Sequence, residues 1–303
     1  MRIAHFSDLH LLSLEGVATH RFFNKRATGL ANLRLKRGRV HRPAYVKSIA
    51  REVKRLGVDH VVVTGDLTNL ALEPEFAMAL DLLETDLGMS PKDVSIVPGN
   101  HDLYTRGSRV AKRFATYFAD YLVSDLPELA VDVGAGRFPV VKLRGCVAMI
   151  GLSSAVPRAP FVAAGRLGRA QLAALRKVLA HPEVVRRTPV LALHHPPHNP
   201  ESRFKSMLEG LSDAAMLWTS VAHLPAGLFL HGHLHKRVRR RDRTDSGGVY
   251  SIGATSASLH HDSSERMASF NVYDVATDGT IGAMEAHVLT PGGHFDVHPF
   301  PLL

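Results

Sequence analysis

Five short runs along the chain carry metal-ligand chemistry in a fixed order. They are Asp8-Leu9-His10, Gly65-Asp66, Gly99-Asn100-His101-Asp102, His194-His195-Pro196-Pro197 and His231-Gly232-His233-Leu234-His235. Together they supply two aspartates, one asparagine and at least four histidines as ligands. That is enough for two metal ions. Two adjacent cations at such a ligand mix point to hydrolysis of a phosphate ester, because they can stabilise both the attacking and the leaving oxygen.

Spacing supports convergence within each run. Asp8 and His10 are two apart, and in extended backbone such residues point to the same side. His233 and His235 share that spacing, with Gly232 allowing a close approach of the backbone. Asp66 follows a glycine at a strand end, where a carboxylate can bridge two cations. Asn100 offers a neutral amide oxygen. Mixed nitrogen and oxygen ligands suit Mn²⁺, Fe²⁺/Fe³⁺ or Zn²⁺ and disfavour the oxygen-seeking Mg²⁺ or Ca²⁺.

These runs need a scaffold, and apolar periodicity supplies one. Strands are expected over 2–7, 60–64, 94–97, 190–193 and 227–230. A hairpin is expected over 139–152, turning near Arg144-Gly145. Helices are expected over 43–56, 73–87, 108–122 and 168–180, the first with Pro43 at its start. After residue 246 the pattern turns to strands, at 248–254, 268–275 and 281–289. Every ligand run falls just past the carboxyl end of an expected strand, where open α/β sheets bind ligands. Residues 11–42 fit neither strand nor connector and are long for a loop. They read as an insertion with short helices of its own. The expectation is one α/β domain over 1–303, with 11–42 as a cap beside the metals.

Bulk properties narrow the classes. The chain has 303 residues and is 45% hydrophobic, an ordinary globular composition. Cys146 is the single cysteine, so neither an intramolecular disulfide nor a cysteine metal site is possible. That fits a reducing, cytoplasmic setting. No signal peptide is visible and no apolar run approaches the ~20 residues of a membrane span. The net charge is +9, and from Arg21 to Arg55 the only acid is Glu52. Such charge suits an anionic partner, whether nucleotide, phospholipid surface or nucleic acid. Residues 21–42 mix apolar and basic side chains, which offers a peripheral contact with anionic lipid at the inner membrane face.

The ordered set Asp-x-His, Gly-Asp, Gly-Asn-His-Asp, His before proline and Gly-His-x-His resembles the calcineurin-like metallophosphoesterase superfamily. The resemblance runs from residue 8 to residue 235. It implies a four-layer α-β-β-α sandwich, two packed sheets flanked by helices. It also implies that Asp8, His10, Asp66 and His235 hold one ion, and that Asp66, Asn100, His194 and His233 hold the other. The family's His-x-Pro selects His194 over His195. A hydroxide held between the ions is then the nucleophile, His101 the general acid, and Asp102 the residue that orients His101.

Other residues carry weaker signals. His195 either touches substrate or supports a ligand. Asn69 either faces the phosphate or caps the helix from 73. His231 faces away from the metals, and His260, His261, His287, His294 and His298 have no motif context. The run Arg237 to Arg241 reads as a solvated hairpin turn, and Trp218 and Phe229 as core. Gly-Asp-Leu-Thr-Asn and His-His-Pro-Pro look like the bacterial branch that includes class III cyclic nucleotide phosphodiesterases and glycerophosphodiesterases. The leading expectation is a phosphodiesterase for a small diester such as 3',5'-cyclic AMP. The alternatives are a hydrolase of lipid-linked pyrophosphate or phospholipid at the membrane face, a nuclease, and a non-catalytic scaffold.

Overall fold

A computed structural model describes residues 1–18, 26, 40–159 and 161–300. Most of the expected insertion, and with it the proposed cap and lipid contact of 21–42, lies outside the described residues. Within that stretch Arg26 is described. It is buried, and its guanidinium donates to the carbonyls of Leu70 and Ala71.

Two six-stranded sheets form the frame. The strands are β1 (Arg2–Phe6), β2 (His60–Val63), β3 (Val94–Ile96), β4 (Val131–Asp132), β5 (Arg137–Phe138), β6 (Val140–Arg144) and β7 (Val147–Gly151). They continue as β8 (Thr188–Ala192), β9 (Ala226–His231), β10 (Val238–Arg243), β11 (Gly248–Gly253), β12 (Ser269–Val275), β13 (Ile281–Leu289) and β14 (Phe295–Pro299). One sheet runs β14-β13-β12-β1-β2-β3 and the other β10-β11-β9-β8-β7-β6. In the first, β1, β2 and β3 are parallel; in the second, β7, β8, β9 and β11 are parallel. Parallel strands end at one edge of each sheet, so the loops that follow them share a rim.

Alternation packs the layers. Val147 and Met149 of β7 face the core shared by the two sheets, whereas Ala148 and Ile150 face a second core. That second core is closed by the helices Arg169–Leu179 and Ala214–Val221. On the outer face of the first sheet, helix Pro43–Leu56 buries Val46, Ile49, Ala50 and Val53 at helical spacing. It starts on Pro43 and ends at Gly57, whose φ of 60° makes the left-handed cap. The order helix, sheet, sheet, helix is the expected four-layer sandwich.

Three expectations change. The helix expected over 108–122 is broken into Arg106–Val110, Arg113–Tyr117 and a 3-10 turn Ala119–Leu122, because Lys112 takes a left-handed φ of 47°. The helix from 73 is regular only to Asp81 and continues as a π-helix over Leu82–Leu87. The arginine run is not a turn: Val238–Arg243 is an edge strand paired antiparallel to β11. None of its residues is buried, and β14 is mostly exposed, so both lack the apolar alternation that marks a strand. Among the described residues no helix is long and apolar enough to cross a membrane.

Candidate metal centre

The loops after β1, β2, β3, β8 and β9 bring the ligand runs together across the rim between the sheets. Backbone bonds fix their relative positions: Asp8 N–H donates to the Gly65 carbonyl, His10 N–H to Asp66, and Gly232 N–H to His194. Glycines permit the approach. A side chain at Gly99 would overlap the Asp66 carboxylate, and one at Gly232 would overlap Ser7 Oγ and Asp8 Oδ2.

Asp8 and His10 do not converge by extended backbone as their spacing suggested. Both lie past the strand in the left-handed region, with φ of 55° and 46°, and Leu9 between them is buried. Asp66, His233 and His235 are also left-handed, at 51°, 71° and 48°. Each such residue costs about 1–2 kcal/mol relative to ordinary backbone. Strain of this kind gathers where function fixes geometry.

Two clusters result. In the first, His235 Nε2 lies 3.1 Å from Asp8 Oδ1 and 3.0 Å from His10 Nε2. His10 Nε2 is 3.9 Å from Asp66 Oδ2. In the second, His194 Nε2 lies 3.4 Å from the same Asp66 Oδ2 and 3.1 Å from Asn100 Oδ1. Donor atoms sharing an ion at ~2.0–2.1 Å stand roughly 3.0–3.4 Å apart, and the separations within each cluster fall in that range, whereas the 3.9 Å from His10 Nε2 to Asp66 Oδ2 is wider; Asp66 is the residue that would serve both positions. The other Asp66 oxygen accepts His101 N–H at 2.8 Å.

Hydrogen bonds outside the clusters orient two of the imidazoles, as is usual for metal-ligating histidines, whereas His10 Nδ1 is buried without a partner among the described residues. His194 Nδ1 donates to the Thr64 carbonyl at 2.7 Å. His233 Nε2 donates to the Glu209 carbonyl at 3.0 Å, leaving Nδ1 for an ion, and its N–H donates to Asp8 Oδ2. Electrostatics agree. Burial resists ionisation of Asp66, but His194 and its other histidine neighbours outweigh that and hold its carboxyl well below the ordinary range. Asp8 is likewise held down by His235 against the cost of burial. Burial alone would push His194 down, yet the Asp66 carboxylate raises it to about 9.

The neighbours of the ligands depart from several expectations. Asp102 does not orient His101. Its carboxylate accepts Gly99 N–H, Leu67 N–H, Thr68 N–H and Thr68 Oγ–H, tying the β2 and β3 loops together. The group that orients His101 is the Asn69 carbonyl, which accepts from His101 Nδ1 at 2.6 Å. Asn69 caps no helix: its amide donates to the His10 carbonyl, and Glu75 takes the Leu70 and Leu72 amides at the start of that helix. His195 has both ring nitrogens engaged, by Ser154 Oγ at 2.8 Å and the Ala163 carbonyl at 2.7 Å. His231 is buried, with Nδ1 facing its neighbour's carbonyl.

A cavity of about 420 Å³ opens on this centre, lined in part by His10, Asp66, Asn100, His101, His233 and His235. It also takes in His260, His261 and Arg266, so two of the five histidines without motif context stand at its wall. Sequence gave no sign of this, because a long segment separates them from the last motif. A larger cleft, about 820 Å³ around Cys146 and Gly279, contains none of the ligand residues.

A family model described as calcineurin-like phosphoesterase matches residues 1–237. Among solved structures, a dimetal phosphatase from Danio rerio superposes with a TM-score of 0.57 at 16% identity, covering 94% of this chain and 95% of that one. Purple acid phosphatase from yellow lupin seeds (Lupinus luteus) superposes at 0.58 and 12% identity, covering 99% of this chain and 53% of its own. The chain thus spans about half of that protein. At these identities the likeness is one of fold. No curated protein sequence matches the chain.

Proposed function

The chain belongs to the calcineurin-like phosphoesterase family and is a metal-dependent phosphoric ester hydrolase, and we propose that its substrate is a small phosphodiester such as 3',5'-cyclic AMP. What supports the diester reading is the style of two motifs, Gly65-Asp66-Leu67-Thr68-Asn69 and His194-His195-Pro196-Pro197, both of which meet at the metal centre. The cavity volume, about 420 Å³, suits a ligand the size of a nucleotide rather than a folded protein substrate.

Asp8, His10, Asp66 and His235 would hold one ion, and Asp66, Asn100, His194 and His233 the other. When bound, the ions supply a nucleophile from water at neutral pH and neutralise charge on the phosphoryl oxygens. Manganese, iron or zinc would serve this ligand set. His101, fixed through Nδ1 by the Asn69 carbonyl, presents Nε2 as the site that delivers a proton to the leaving oxygen. The test compares bis-p-nitrophenyl phosphate with p-nitrophenyl phosphate in the presence of Mn²⁺. Diester turnover at least about tenfold higher in kcat/KM supports the reading, and a monoester preference sinks it. A panel of cyclic nucleotides and glycerophosphodiesters then selects the substrate.

One observation favours the lipid-linked pyrophosphate alternative. Phe161, Phe204 and Met207 are 87%, 65% and 64% exposed. Ala163 N–H bonds the Leu208 carbonyl, which draws the loop of Phe161 alongside helix Arg203–Glu209 near the cavity. Salt-sensitive sedimentation with anionic liposomes would support it, and no binding at low salt would remove it.

A further inference from the structure

We propose that His41, which lies outside all five motifs, is a third imidazole ligand of the ion held by His10 and His235. The proposal rests on the two-metal reading above.

Candidate ligand atoms of His10, His41 and His235 all lie within 4.8 Å of one another. The ring centres of His10 and His41 are 4.8 Å apart, those of His10 and His235 4.9 Å, and those of His41 and His235 5.7 Å. Three imidazoles on one ion, each nitrogen ~2.1 Å from it, place their ring centres about 4.5–5.2 Å apart. Two of the separations fall in that range, and the third exceeds it by about half an ångström. The rings meet edge-on, at interplanar angles of 66°, 62° and 82°. Stacked rings would point their nitrogens along parallel planes; edge-on rings let three nitrogens converge on a point.

Two further observations fix His41 in this pose. Its Nδ1 bonds Ser258 Oγ at 2.7 Å, which fixes the orientation of the ring beside His10 and His235. Ser258 and Ser256 also donate to the carbonyl of Asp8, at 3.4 and 2.6 Å, so one serine pair supports His41 and the backbone of a ligand in the same cluster. The main chain is clamped too. His41 forms a bridge with Leu259, Arg42 N–H donates to Ser258, and His260 N–H donates to Val40. A histidine that merely packed on the surface would need neither the serine nor the clamp. The consequence is a tie between metal loading and the chain that leads from the insertion into helix Pro43–Leu56.

The experiment is calorimetric titration of chelator-stripped protein with Zn²⁺ alone, on the full chain and on His41→Ala, His41→Gln and Ser258→Ala. The original chain is expected to show two sites. Both His41 variants should weaken one site by about 10–100-fold and leave the other within twofold, with Ser258→Ala weakening the same site less. The visible spectrum of the Co²⁺-loaded protein should change with His41→Gln, a readout independent of turnover. Unchanged affinity at both sites, with an unchanged Co²⁺ spectrum, overturns the proposal and leaves the two-metal reading standing. Failure of the original chain to bind two ions overturns both. Circular dichroism verifies that the variants are folded, and His41→Gln serves if His41→Ala is not.

Discussion

Asp66 accepts the backbone N–H of His101 through Oδ1 at 2.8 Å while its Oδ2 faces the two ligand clusters. The residue proposed to join the metal positions therefore also sets the main chain of the proposed acid. The proposed acid and the proposed bridge are held in one frame, so a change at either oxygen is expected to disturb both.

Asp66→Asn keeps the shape and removes the charge. The variant should lose at least one ion per chain and about 10³-fold or more in turnover of bis-p-nitrophenyl phosphate, given how much two-metal catalysis depends on the shared ligand. Elemental analysis alongside kinetics checks this. Full metal content with full activity would refute the bridging role.

His101→Ala separates acid from ligand. Since His10, Asp66 and His101 also have candidate ligand atoms within 4.8 Å, a ligand role competes with the acid role. The acid role predicts that two ions stay bound and turnover falls about 10²–10⁴-fold on esters with poor leaving groups, less on p-nitrophenyl esters. Loss of an ion would favour the ligand role instead.

Adjacent histidines should behave differently. His194→Ala removes a nitrogen 3.4 Å from Asp66 Oδ2 and should empty one metal position. His195→Ala should leave both ions bound and lower stability by about 1–3 kcal/mol, because Ser154 and the Ala163 carbonyl lose buried partners. Metal content and urea denaturation distinguish the two.

Glu75 gives a pH dependence away from the metals. Burial, only partly offset by the Leu70 and Leu72 amides, raises its carboxyl to about 8, against an ordinary 4.5. The folded state therefore holds a proton that the unfolded chain releases. Its contribution to stability is complete below about pH 4.5 and is lost as pH rises through about 8. Glu75→Gln should flatten the fall in urea midpoint between pH 5 and pH 8. An identical slope in both proteins would contradict this.

How much of this was legible in the sequence differs by link. The convergence of the candidate ligands was legible, because each run is local and falls after an apolar strand; β1, β2, β3, β8 and β9 stand where their periodicity put them. Edge strands β10 and β14 were not legible, since exposure on both faces removes the alternation that marks a strand. Backbone shape within the runs was hidden as well: nothing in Asp8-Leu9-His10 announces two left-handed residues, which arise from bonds to Gly65 and Asp66 far along the chain. The support of His101 misled for the same reason. Asp102 is its neighbour in sequence, but its acceptors are filled by the β2 loop, and the Asn69 carbonyl takes its place. His41 has no motif at all, and among the described residues the pairing of 40–42 with 258–260 brings it to the centre.

The central claim is that two ions share Asp66 Oδ2. Electron paramagnetic resonance of the chain loaded with two equivalents of Mn²⁺ tests it most directly. The account predicts a spin-coupled pair, replaced in Asp66→Asn by the signal of isolated Mn²⁺. Two equivalents bound with only isolated, uncoupled signals in the original chain would contradict it.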